Sequence, residues 1–326
     1  MQANEKPSKI RSVLLANQLQ EKLEGIFAQG LPALSQLRAK RFDLAQTLHS
    51  GQVFHWHPLG SGYLGLIGNC PVFVQQNGGT LYLTQGEESL VQHYFALDHP
   101  IEQIHASFPG DECLSAALAA CVGLRIIRQP LWECLATFIT SSMKQVAHIR
   151  QISLTLRKEY GQAVFREDFG DFPLYSYPTP ESIARLTEDE LRQTARLGYR
   201  AKTLLATARQ VSEGHCDLES IRALPYAEAH RALCTLPGVG EKVANCVLLF
   251  AYERLEAFPV DVWIERALRE NYFPSGGTAS DIRKFAASYF GCYGGYAQQV
   301  LFHYHRTHAK KGRAKFARAP SRDAAA

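Results

Sequence analysis

The apolar residues of this 326-residue chain change their period near residue 113, and few folds accommodate such a change. Upstream, Val53 to His57, Tyr63 to Ile67, Val72 to Gln76 and Thr80 to Leu83 are short β-prone runs. Gly60-Ser61-Gly62 and Asn77-Gly78-Gly79 separate them, which predicts an antiparallel meander. Glu87 to Ala96 reads as a helix laid over that sheet. Downstream, Leu131, Leu135, Phe138 and Ile139 mark one helical stripe, and Val146, Ile149, Ile152 and Leu156 the next. Leu174 to Pro180 reads as a loop. Thr187 to Glu190 forms a capping box, and Gly214 closes the helix that begins near Arg200. Further helices fit Ala227–Thr235, Glu241–Tyr252, Val262–Glu270, Ser280–Phe290 and Tyr296–His308. The expected class is α+β, an antiparallel sheet domain over 1–112 with a leading helical segment, packed on an all-helical domain over 113–308. A chain of this length can bury two such cores. The alanine-, lysine- and arginine-rich residues 309–326 read as a disordered basic tail.

Charge does not announce a partner. The formal net charge is +4, but six basic residues against one Asp from Ala309 onward leave the rest near −1. A nucleic acid bound here is therefore held by backbone amides and a few placed side chains rather than by bulk charge. The eight cysteines lack any C-x-x-C pair, so neither a metal site nor a cluster is signalled, and most are expected to be buried free thiols. No cofactor is expected. No apolar run is long enough for a membrane span, and residues 1–11 lack the apolar core of a secretory signal. The expected location is intracellular: cytoplasm or nucleoid in a prokaryote, nucleus in a eukaryote.

Leu236-Pro237-Gly238-Val239-Gly240 lies between two helical stretches. Gly238 and Gly240 permit positive φ and close backbone approach, so two helices can meet through a tight hairpin. The free amides at the start of the second helix, with its dipole, then form a phosphate site. A plain helix–helix turn is the simpler alternative.

Lys242 falls in the first turn of that second helix. A cation is disfavoured there, which makes the neutral, nucleophilic amine easier to reach than on a surface lysine. Cys246 follows one turn later on the same face. Nineteen residues past Lys242, the extended Phe258-Pro259-Val260 leads into Asp261, which is placed to N-cap the helix at Val262. A carboxylate held there by helix amides would stabilise positive charge growing on a sugar as its base departs. Phosphate pairing for Lys242 and simple capping for Asp261 are the plain readings of each alone; the pair behind one hairpin points to chemistry.

The order L-P-G-V-G, then Lys, then P-V-D resembles the helix-hairpin-helix glycosylases. Over about Phe42 to Phe302 the chain more closely resembles the 8-oxoguanine DNA glycosylases. The resemblance is carried by Ser50-Gly51-Gln52-Val53-Phe54-His55-Trp56, Tyr94-Phe95-Ala96-Leu97-Asp98, Arg128-Gln129 with Glu133-Cys134-Leu135, Leu197-Gly198-Tyr199-Arg200-Ala201, and Ala297-Gln298 with Phe302. It implies a monomeric glycosylase and abasic-site lyase that acts on duplex DNA containing 8-oxoguanine. Lys242 would attack the anomeric carbon and form a Schiff base, with Asp261 stabilising the cationic sugar.

The resemblance also assigns recognition. A Gly51 carbonyl would accept from the N7–H that distinguishes 8-oxoguanine from guanine, a contact whose absence is strongly penalised. Gln298 would read the pairing edge of the flipped base, Phe302 and Cys246 would sandwich it, and Pro259 would line the same site. Tyr199 would wedge the vacated step, and Arg200 would touch the partner base. Gly238, Gly240 and Val243 would hold the backbone. Two departures stand out. Met143 and His148 occupy positions where the family carries an Asn and an Arg facing the opposite base, which predicts weak preference for cytosine there. Trp263 replaces a His near phosphate. A glycosylase for another damaged base, or a non-catalytic DNA-binding module, are the alternative readings.

Overall fold

Two-residue turns set the topology of the N-terminal sheet. The structure is a computed structural model that describes residues 33–169 and 173–316. Five antiparallel strands, β1 (Leu34–Arg38), β2 (His57–Leu59), β3 (Gly62–Ile67), β4 (Cys70–Asn77) and β5 (Thr80–Thr84), lie in the order β1-β5-β4-β3-β2. Asn77 pairs with Thr80 across Gly78-Gly79, and Gly78 has a φ of +55°, as a tight hairpin of right-handed strands requires. The meander expected from the alternation is present with two corrections. Residues 53–56 run as buried, unpaired backbone rather than as a strand. The edge strand β1, with its polar Ser-Gln-Leu-Arg pattern, gave no signal in the sequence. A short helix α1 (Leu44–His49), N-capped by Asp43, also escaped the reading, while α2 (Glu88–Tyr94) lies where a helix was expected. The leading segment before residue 33 lies outside the described residues.

The remaining chain is helical. In order come α3 (Ile101–Ala106), α4 (Glu112–Ala120), α5 (Leu131–Ser141), α6 (Val146–Tyr160), α7 (Pro180–Ala184), α8 (Glu188–Thr194), α9 (Arg200–Ser212), α10 (Tyr226–Cys234), α11 (Glu241–Phe250), α12 (Val262–Tyr272), α13 (Ala279–Tyr289) and α14 (Gly294–Phe316). The predicted capping box closes α8: Thr187 accepts from Glu190 N, and the Glu190 side chain accepts from Thr187 N. Leu174–Tyr175, read as loop, pairs with Ala163–Val164 as a two-stranded ribbon. Helix α14 runs to Phe316, so residues 309–316, read as disordered, continue a helix; the rest of that tail lies outside the described residues. All eight cysteines are free, but only Cys121, Cys134 and Cys246 are buried; burial of most of them was overestimated.

Packing divides the apolar residues by element. The inner sheet face, α1 and α2 enclose Trp56, Val72, Leu81, Phe95 and Ile127. The largest core joins α5, α6 and α9 to α11, and α4 with α12 to α14 encloses a further one. Ile101 and Ile104 of α3 belong to the large helical core, so helical packing begins a dozen residues before the expected boundary at 112/113.

A polar seam joins sheet to helices. The buried Gln52 side chain donates to Arg125 O at 2.7 Å and accepts from Ile127 N at 2.8 Å, while Gln129 Nε2 donates to Gln52 O at 3.0 Å. Arg150 of α6 donates to Trp56 O at 2.6 Å, which supplies a partner to the unpaired 53–56 backbone. Each buried group left without such a partner would cost about 1–3 kcal/mol.

Candidate active site and DNA interface

The hairpin between α10 and α11 puts Lys242 where its chemistry needs it. Gly238 takes a φ of +80°, and a Cβ there would stand 2.8 Å from the Thr203 side chain, so the turn tolerates neither another conformation nor a larger residue. Thr207 Oγ1 donates to Pro237 O at 2.8 Å and fastens the turn to α9. Gly240 differs from expectation: its φ of −101° and ψ of −176° are extended, not left-handed, and it serves as N-cap of α11. Its lack of a side chain leaves open space where the first amides of α11 face outward. Val243, by contrast, is buried beneath the turn.

Lys242 occupies the first turn of α11, half-buried. Its Nζ lies 3.3 Å from Ser141 Oγ and 5.0 Å from the centre of the Phe138 ring, both on α5. Among the described residues no carboxylate forms an ion pair with it. Asp261 N-caps α12 as expected, one carboxylate oxygen accepting from Trp263 N at 3.0 Å and Ile264 N at 2.9 Å. Burial raises its carboxyl above the ordinary value, opposed by those amides and by the positive charge of Lys242. The helix amides were expected to hold this carboxyl down; they oppose the rise, but the net direction is upward because burial is the larger cause. Cys246, one turn beyond Lys242, feels both: burial pushes its thiol up to about 11, Lys242 pulls it down and Asp261 pushes it up. It is therefore a neutral, apolar wall. Lysine, carboxyl and thiol converge from α11 and α12, and Pro259 is buried just before Asp261.

A second group of predicted residues meets across the sheet–helix seam. Gly51 has a φ of +91°, and a Cβ there would lie 3.0 Å from Phe302 Cε1 and 3.7 Å from Val146 Cγ2. The backbone conformation favours glycine, and a side chain there would press on the Phe302 ring. Phe302 comes from α14, as does Gln298, which is 4% exposed and whose Oε1 has no partner among the described residues. That oxygen is an acceptor a bound group could satisfy. The Phe138 ring beneath Lys242 packs edge-on to Phe54, three residues past Gly51, which links the two groups. Phe138, Ser141 and Val146 carried no signal in the sequence beyond helical periodicity.

Around the hairpin lie exposed residues. Met143, between α5 and α6, is 87% exposed with a left-handed φ of +56°, and Tyr199 at the start of α9 is 61% exposed. His148 is exposed in the first turn of α6. Arg200 departs from expectation. Rather than projecting toward a partner base, it is 5% exposed, with Nη2 bound to Ser142 O and Nη1 to Leu197 O, and its guanidinium lies 4.3 Å from the Tyr199 ring. It fastens the Met143 turn to Tyr199. Trp263 is half-buried, its ring 5.9 Å from the Arg266 guanidinium. Among the described residues no cluster of His, Cys, Asp and Glu is arranged to hold a metal.

Comparison with known proteins agrees with this geometry. Residues 137–291 match the model of the HhH-GPD superfamily of base excision DNA repair proteins, which defines the class. Residues 35–135 match the 8-oxoguanine DNA glycosylase N-terminal domain. A solved structure of MBOgg1 with a low-affinity DNA ligand is 30% identical, covers 85% of this chain and 99% of its own, and superposes with a TM-score of 0.80. The Clostridium acetobutylicum 8-oxoguanine glycosylase/lyase, solved with double-stranded DNA bearing cytosine opposite 8-oxoG, is 27% identical with a TM-score of 0.78, covering 86% of this chain and 99% of its own. A probable N-glycosylase/DNA lyase of Methanothermobacter thermautotrophicus is 29% identical over 299 residues, 81% of this chain and 94% of that protein. The chain belongs to the 8-oxoguanine DNA glycosylase family.

Proposed function

We propose that the protein excises 8-oxoguanine from duplex DNA and then nicks the strand. The observation that carries this is the convergence of Lys242 and Asp261 from the N-terminal turns of α11 and α12, behind a glycine hairpin. The base is flipped out of the stack, and Gly51, Gln298 and Phe302, with Pro259 and the neutral Cys246, receive it. Lys242 Nζ forms a bond to the anomeric carbon while the glycosidic bond breaks toward the base. Asp261, ionised, stabilises the positive charge that grows on the sugar. Opening of the sugar ring leaves an iminium on Lys242; loss of a proton from the adjacent carbon then expels the 3′ phosphate. The amides behind Gly238 and Gly240, together with Val243, hold the backbone, and Tyr199 and Met143 fill the vacated step. The 8-oxoguanine bound by the Clostridium acetobutylicum enzyme and the lyase activity named for the Methanothermobacter relative support this reading. A monomer suffices, and its workplace is wherever the genome lies, nucleoid or nucleus.

Duplexes carrying a single 8-oxoguanine, guanine or 3-methyladenine test it. Release of 8-oxoguanine with a nick, and neglect of the other two, is expected. Release of the alkylated base alone would give the site another substrate, and binding without release would make it a module.

A further inference from the structure

We infer that Gln299 is a positioning residue for recognition of the lesion, resting on the reading of Gly51 given above. The resemblance assigns a role to Gln298 and none to its neighbour. Gln299 is 2% exposed, and its Nε2 donates to Ser50 O at 2.9 Å, across 249 residues of sequence. That oxygen belongs to the peptide that enters Gly51. One turn further along the same helix Phe302 abuts Gly51, and Arg306 Nη2 donates to His49 O. Helix α14 thus grips two successive carbonyls, His49 at the end of α1 and Ser50 at its C-cap, directly ahead of the carbonyl that would sense N7–H.

The grip matters because of what the glycine costs. A residue with a φ of +91° and no side chain has many conformations open to it, and only its neighbours can fix the direction of its carbonyl. Gln52 anchors the chain just beyond the peptide group that leaves Gly51, its own carbonyl accepting from Gln129 and its side chain bound to Arg125 and Ile127. Gln299 fixes the one before. Gln298 rides on the same helix, so the sensing carbonyl and the edge-reading amide are set by one rigid element. A recognition contact displaced by about 1 Å loses rate on the order of 10²-fold.

The test replaces Gln299 by methionine, which keeps the volume and removes the donor, and compares two substrates under single-turnover conditions. Excision of 8-oxoguanine is expected to fall on the order of 10- to 100-fold for Gln299→Met. Nicking of a duplex with a preformed abasic site, which needs Lys242 but no base, is expected to stay within about twofold. Unchanged excision, or an equal loss on both substrates, overturns the inference. Wild-type protein that nicks the abasic site but leaves 8-oxoguanine in place overturns the substrate reading and this inference with it.

Discussion

Asp261 answers to two demands. One oxygen satisfies the first amides of α12, which any good cap would do, while burial raises its carboxyl above 3.8. Since the raised value belongs to the folded state, the energetic cost of the charged form is absent well below the ordinary carboxylate range and appears as pH climbs through the raised value. Activity runs the opposite way, because the charged form is the one that stabilises the sugar. The acid limb of base release is therefore expected above the range of a free aspartate, and a limb at or below that range would contradict the assignment. Asparagine caps as well as aspartate. Asp261→Asn should accordingly leave the fold intact, slow base release on the order of 10²-fold or more, and abolish the limb. The cap was legible in the sequence, from a Pro-Val-Asp ahead of a helical stripe. The raised carboxyl was not, because burial comes from residues brought in by other elements.

At the scale of elements, the turn between α5 and α6 and the start of α9 act as one piece. Arg200 holds the Ser142 carbonyl and lies against Tyr199, so its guanidinium is spent within the protein. His148 alone remains near the position from which the family reads the opposite base, and it offers no charged fork. A weak preference for cytosine is therefore expected by two routes, the first legible in the sequence, the second visible only in the fold. Excision rates opposite C, A, G and T are expected to agree within about tenfold; a preference for C on the order of 10²-fold or more would show that Arg200 leaves its carbonyls to meet the partner base. The hairpin was read correctly as a connection, but the glycines divide their labour: only Gly238 uses left-handed φ, whereas Gly240 provides clearance. Sequence supplies the glycines and not the reason for each.

For the whole molecule, the blocks that carried the resemblance prove to be neighbours. Trp56 Nε1 donates to Tyr94 OH at 3.2 Å, Arg128 pairs with both oxygens of Asp98 at 2.6 and 2.9 Å, and Gln129 meets Gln52. These residues build the seam that brings Gly51 of the sheet domain to Phe302 of α14. Periodicity revealed the sheet and most helices, yet said nothing of this seam, whose bonds join side chains to irregular backbone. The missed strand β1 and the mistaken strand at 53–56 have the same origin: pairing partners and buried anchors, not local pattern, decide their form. The account stands on Lys242 as the group that becomes bonded to the sugar. Reaction of an 8-oxoguanine duplex in the presence of borohydride, followed by peptide mapping of the trapped complex, tests that directly. A reduced sugar adduct on Lys242, lost in Lys242→Gln, is the predicted result. An adduct on another residue, or base release with none, would contradict it.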